Sequence, residues 1–235
     1  MSFGNPRHHR RSLGSTNDLA RELAAAGAPQ GTVVTAEEQV TGRGRQGRSW
    51  TAPAGKALLY SAIVRPLEQR HLVLPLAASL AVAEAAEEVA DVSCAIKWPN
   101  DVWIEGRKCA GVLIEARPQD GWAVIGVGLN VSIEPNEFPE ELRETATSLG
   151  NGATVDDALQ ALNDSLTRWV RAEPQAVLTA FRERDALRGQ EVSWADGSGV
   201  ADGVDERGNL IVETPNGERL ALGVGEVHLG PPSGP

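Results

Sequence analysis

Residues 41 to 50 read TGRGRQGRSW, with Arg43, Arg45 and Arg48 set among Gly42, Gly44 and Gly47. Guanidinium forks match the paired oxygens of phosphate and carboxylate. Glycines let backbone N–H groups approach the same anion. Three like charges this close repel one another, so the loop is expected to be mobile when empty and ordered by an anionic ligand. The glycines also satisfy GxGxxG, but Pro53 and Gly55 follow where a dinucleotide-binding turn requires a helix. No HRD or DFG sequence accompanies the loop, which excludes a kinase glycine loop.

Three other stretches carry polar groups at the ends of apolar runs. KWPND (97 to 101) supplies Lys97, Asn100 and Asp101 around a proline turn. KCAGVLIE (108 to 115) sets Lys108 at the head of a strand, with Gly111 where a ligand could lie against the backbone. GVGLNV (126 to 131) places Asn130 at a strand end. From position alone Lys108 is a solvent-facing residue after a hairpin, and Asp101 a turn residue. The four histidines form no metal spacing, and no GxSxG elbow is present, so covalent enzyme catalysis is not expected.

The elements that must position these residues follow from periodicity and punctuation. STNDLARELAAAG (15 to 27) reads as a capped helix ending at Gly27, with Ser15 or Thr16 as its N-cap. Strands are expected over 32–39, 57–64, 101–104, 108–115 and 122–128, with EGRK (105 to 108) as a tight hairpin turn. An alanine-rich helix spans 72 to 90, and further helices occupy 155–171 and 175–185. From Gly189 to Leu229 short strands alternate with DGSG, ERGN and PNGE turns, which suggests a small β-barrel. The expected organisation is a flexible tail (1–11), a catalytic domain (12–186), a barrel (187–230) and a disordered tail (231–235).

Bulk composition narrows the partners. The 235 residues carry 22 basic and 32 acidic side chains, a formal charge of −10, which disfavours a general nucleic-acid surface. Glu84, Glu87 and Glu88 exclude the alanine-rich segment as a membrane span, and no apolar signal region follows the N-terminal arginines. Cys94 and Cys109 fit no metal or redox spacing, which points to the reducing cytoplasm.

Together and in this order, STN, EEQVTGRGRQGRSW, KWPND, KCAGVLIE and GVGLNV resemble the biotin protein ligases, and the resemblance extends over nearly the whole chain. It implies an α/β (α+β) fold: a mixed-sheet catalytic domain, like class II aminoacyl-tRNA synthetases and the lipoate ligases, with a small SH3-like C-terminal β-barrel. The implied reaction activates biotin with ATP and Mg2+ to biotinyl-5′-AMP, then transfers biotin to a lysine of biotin carboxyl carrier protein. By the same resemblance Lys108 and Arg45 are catalytic. Ser15, Thr16, Asn17, Gln39, Arg43, Gly44, Arg45, Lys108 and Gly111 hold biotin, with Ser15, Thr16 and Gln39 reading its ureido ring.

Arg48, Trp50, Asn130, Lys97 and Asn100 contact ATP or the adenylate, and Asp101 is a candidate magnesium partner. Trp50 has an equally good reading as a core indole. Eleven polar residues before the first helix cannot form the winged helix of bifunctional members, so a monofunctional ligase without DNA binding is expected. Family members often dimerise through a sheet, which leaves a homodimer open. Cys109 stands where an apolar residue is usual, so inhibition by thiol modification is an expectation. Two rivals remain: a lipoate or octanoate ligase of the related fold, and an RNA-binding module using an RG-type patch.

Overall fold

The computed structural model describes residues 2–150, 152–223 and 227–230. In chain order the elements are β1 (Arg7–Leu13), α1 (Thr16–Ala25), β2 (Val33–Gln39), β3 (Ala57–Val64), α2 (Leu74–Val89), β4 (Cys94–Lys97), β5 (Asp101–Ile104), β6 (Arg107–Arg117) and β7 (Trp122–Asn130). They continue with α3 (Val155–Trp169), α4 (Pro174–Arg184), β8 (Glu191–Trp194), β9 (Gly197–Val204), β10 (Leu210–Glu213), β11 (Arg219–Leu222) and β12 (His228–Leu229).

A seven-stranded mixed sheet, in the order β1-β2-β3-β7-β6-β5-β4, forms the frame. β1 runs parallel to β2, and every other neighbouring pair is antiparallel. The central strands β3 and β7 are buried along their whole length, as near-continuous apolar runs require. Glu105 and Gly106 both have positive φ (49° and 76°), the conformation a two-residue hairpin turn demands between β5 and β6.

Helix α2 is apolar almost all round and lies inside the molecule, between the sheet and α3 and α4. Its alanines let these layers approach closely. The acidic residues near its end, which look solvent-facing in the sequence, serve packing. Glu84 accepts the indole N–H of Trp169 at 2.7 Å, and Glu87 pairs with Arg184 at 2.6 Å. Burial alone would raise the Glu87 carboxyl, but hydrogen bonds from Arg184 and the Cys94 backbone hold it below its ordinary value. On the opposite face, α1 packs on Val34, Ile63, Trp122 and Val124.

One expectation changes. Residues 7 to 11 are not a flexible tail but most of strand β1, which pairs with β2 from Arg7↔Val33 to Leu13↔Gln39. An edge strand needs backbone partners more than buried side chains, so RHHRR gives no apolar alternation to read. Residues 189 to 229 do form five short antiparallel strands, in the order β11-β10-β9-β8-β12. They are the small β unit expected there from the glycine-centred turns. Its inner residues Val192, Ala201, Leu210 and Val212 share one core with α2 and β4. The segment 231–235, expected to be disordered, lies outside the described residues.

Candidate active site

The face of β7 that packs α1 through Trp122 and Val124 changes character two residues on, at Gly126 and Gly128. A Cβ at Gly126 would collide with the Asn17 amide, and one at Gly128 with the Trp50 indole. Gly111 on β6 completes this bare strip, lying beneath Lys108 and Trp50. Where side chains stop, a cavity of about 130 Å³ begins. The loop between β2 and β3 crosses it, folded on itself by Gly44 N–H to Arg48 O at 2.7 Å and Trp50 N–H to Gly42 O at 3.0 Å.

One end of the cavity is neutral and rich in acceptors. Ser61 Oγ lies 2.8 Å from Thr16 Oγ1 and 2.6 Å from Asn17 Oδ1, while Thr16 Oγ1 lies 3.0 Å from Gln39 Oε1. Two hydroxyl protons cannot fill all three of these contacts. Gln39 Oε1 also accepts the Thr16 backbone N–H at 2.7 Å, so Gln39 caps α1 from a distance. Neither hydroxyl does so: Ser15 occupies the N-cap position but its side chain makes no cap bond, contrary to the sequence expectation. Its alternative, Thr16, directs its hydroxyl to Gln39.

The other end is ionic. Lys108 Nζ sits 2.7 Å from Asp101 Oδ1 and 5.6 Å from the centre of the Trp50 ring. Its backbone is gripped by residues 145–147, with N–H to Thr145 O at 2.8 Å and C=O accepting Thr147 N–H at 2.9 Å. Asn100 donates to Val112 O at 2.8 Å and accepts Arg45 at 2.9 Å. Lys97 stands over Trp103 at 5.4 Å, and Arg48 lines the same cavity. From the C-terminal sheet, Gly208 O accepts the Trp98 indole N–H at 2.9 Å, and Val227 reaches the cavity wall.

The sequence-selected residues thus converge on one cavity, Arg45 and Lys108 among them. Asn130 does not line it. Its side chain is buried and donates to Thr147 O at 2.9 Å, which fixes the segment that grips Lys108. Arg43 reaches the cavity, but its guanidinium bonds Asp18 at 2.8 Å and Glu115 at 2.9 Å. The Trp50 indole is packed on the glycine strip with a buried N–H that has no partner. Cys109 is fully buried, and its contact with Cys94 together with burial pushes its thiol far above its ordinary value. A protonated, inaccessible thiol is not open to modification, which removes the expectation of thiol inhibition.

Sequence reasoning missed Ser61, Asp18, Glu115, Trp98 and Val227. Ser61 is legible in retrospect as the lone hydroxyl in the buried run ALLYSAIV. The others depend on partners 25 or more residues away in sequence and leave no local pattern.

A family model described as the biotin/lipoate A/B protein ligase family matches residues 10–132, and one for the biotin protein ligase C-terminal domain matches 188–230. The chain belongs to the biotin/lipoate A/B protein ligase family. It is 36% identical to the biotin–[acetyl-CoA-carboxylase] ligase of Mycobacterium tuberculosis, over 92% of this chain and 86% of that one. It is 42% identical to the bifunctional ligase/repressor BirA of Bacillus subtilis over 60% of this chain, and the match spans only 45% of that relative's length. The biotin protein ligase of Aquifex aeolicus, solved in complex with biotin and ATP, superposes with a TM-score of 0.80 at 27% identity, covering 97% of this chain and 100% of the other. The first matched segment contains the glycine strip and the arginine loop, and the second contains the five-stranded C-terminal sheet, from which Val227 reaches the cavity.

Proposed function

We propose that this chain is a biotin protein ligase, which joins biotin to AMP and then to a lysine of a biotin carboxyl carrier protein. One observation carries the reading: the neutral end of the cavity holds more hydrogen-bond acceptors than its own hydroxyl protons can fill. Biotin's ureido ring brings two N–H donors and one carbonyl acceptor, and no charge. Donors delivered to Thr16, Gln39 and Asn17 complete that end, with Ser61 behind them, whereas a charged group there would be desolvated at a cost. Ser15, which lines the same cavity, would donate to the ureido carbonyl.

The valeryl chain then runs past the Asn17 and Trp50 side chains that cover the glycine strip, which directs its carboxylate to the ionic end. A carboxylate oxygen attacks the α-phosphorus of ATP, a P–O bond forms, and the bond to pyrophosphate breaks. Two anions must meet and charge builds on the phosphoryl oxygens, so a fixed ammonium at Lys108 lowers the barrier. Arg45 and Arg48 add guanidiniums from the loop, and Lys97 and Asn100 border the nucleotide. Trp50 offers its face to adenine. In the second step the neutral carrier amine attacks the carbonyl carbon, an amide forms as the amine loses a proton to solvent, and AMP departs with the bonding pair.

Magnesium is implied by ATP chemistry. Among the described residues no group of three or more carboxylate, histidine or cysteine side chains could hold a metal alone. A single carboxylate suits an ion held mainly by substrate phosphates. Asp101, with one oxygen on Lys108 and the other left for a ligand, would be that carboxylate, and the ion would neutralise phosphate charge.

Pyrophosphate exchange into ATP tests the reading. Exchange is expected with biotin and not with lipoate, which offers no ureido donors. Exchange with lipoate alone would overturn it in favour of the lipoate-ligase alternative.

A further inference from the structure

Arg43 belongs to the anion-binding loop by sequence, yet its guanidinium faces two carboxylates. We propose that Asp18 and Glu115 clasp the arginine loop through Arg43, and that this clasp sets how long the reactive adenylate remains bound. The proposal rests on the ligase reading.

The loop is tied down on both banks of the cavity. On the ionic bank Arg45 bonds Asn100. On the neutral bank Arg43 bonds Asp18 on α1 and Glu115 on β6. Glu115 also accepts from Arg21 at 2.9 Å and from the Asn17 amide at 2.8 Å, so three donors converge on one carboxylate. Arg21 further faces Asp18 at 3.5 Å. The cluster therefore contains two guanidiniums and two carboxylates. It is neutral as a whole and holds the Arg43 guanidinium on two carboxylates at the neutral bank, away from Lys108 and Asp101, which assigns Arg43 to closure.

The geometry also couples closure to occupancy. Asn17 bridges Ser61 at the neutral end and Glu115 in the clasp. Ordering Asn17 by a ligand donor orders the carboxylate that holds Arg43. Loss of Arg43 loosens the same amide. A neutral ring recognised at one end thereby fastens the strap over the anhydride at the other.

Asp18→Asn is the cleaner test, because Asp18 lies on the exposed side of α1 and its charged partners are Arg21 and Arg43. Glu115→Gln is the second variant. Labelled biotinyl-adenylate is formed on the enzyme from biotin and ATP, and its release is followed by chase with unlabelled biotin, alongside labelling of lysines on a bystander protein. Release is expected to quicken about fivefold in Asp18→Asn, the loss of one partly exposed ion pair, and more in Glu115→Gln. Bystander labelling should rise in parallel. Salt should speed release from the wild type and have a weaker effect in the variants. Adding Asp18→Asn to Arg43→Gln, which already breaks both contacts, should bring little further acceleration, a non-additivity that a general loosening of α1 would not give. Biotin-dependent pyrophosphate exchange, run on the same wild-type sample, separates the two levels. Its absence would overturn the ligase reading and the clasp with it. Its presence with wild-type release rates in both variants would overturn the clasp alone.

Discussion

The two ends of the cavity solve opposite problems with the same local means, a few side chains at strand and helix ends. At the neutral end, Thr16, Asn17 and Ser61 are buried, uncharged and bonded to one another within 3.0 Å. At the ionic end, Lys108 and Asp101 keep 34% and 23% of their side chains exposed and are held by an ion pair. Burial favours hydrogen-bond discrimination, because an unfilled buried acceptor is costly. Partial exposure keeps charges available for a triphosphate that must enter and leave. The glycine strip joins the two environments without side chains of its own.

The largest expected effect falls on the ionic end. Lys108→Ala should lower biotin-dependent adenylation by roughly 10²–10³-fold, the loss typical of one preorganised charge-stabilising group. Its thermal unfolding should be nearly that of wild type, since the side chain is partly exposed. An unchanged exchange rate would break the comparison. Gly128→Ala attacks the strip between the ends. Its Cβ collides with the Trp50 indole, so the indole must move, and ATP affinity should fall roughly tenfold in a nucleotide titration, as overpacking of this kind implies. Unaltered affinity would show that Trp50 does not meet the nucleotide.

Ser61→Ala sharpens the comparison from the neutral side. Leaving Thr16 and Asn17 without a shared partner should weaken biotin binding about fivefold by calorimetry. The bound-state adenylation rate should change far less, and a purely rate-based defect would contradict the assignment.

The smallest effect lies away from both ends. Because the Glu87 carboxyl is held below its ordinary value in the folded state, its pairing with Arg184 stabilises fully above the unfolded carboxylate range near 4.3 and is lost as pH falls through the depressed value. Wild-type stability should therefore exceed that of Glu87→Gln by about 1 kcal/mol at neutral pH, converging in acid. Parallel melting profiles from neutral pH down to acid would count against this pair.

Much of this arrangement is legible in the chain before any coordinates. The hairpin at Glu105–Gly106, the buried run of β3 and the helices at 155 and 174 follow from turn chemistry and periodicity. The loop arginines and Lys108 stand out by residue type. What is not legible has one physical cause: long-range partners. β1 is held by backbone pairing to β2 rather than by an apolar pattern. Arg43 reads as an anion ligand until Glu115, 72 positions away, is seen beside it. Asn130 reads as a cavity residue until its amide is found on Thr147.

The central claim is that a ring reader and an anion joiner share one cavity. Its most direct measurement is detection of the joined product, by incubating the protein with biotin and α-labelled ATP and separating any biotinyl-AMP. The account predicts a labelled adenylate that requires biotin, is not replaced by a lipoyl species, and is nearly absent from Lys108→Ala. Equal adenylate in wild type and Lys108→Ala, or none in the wild type with biotin and magnesium present, would contradict it.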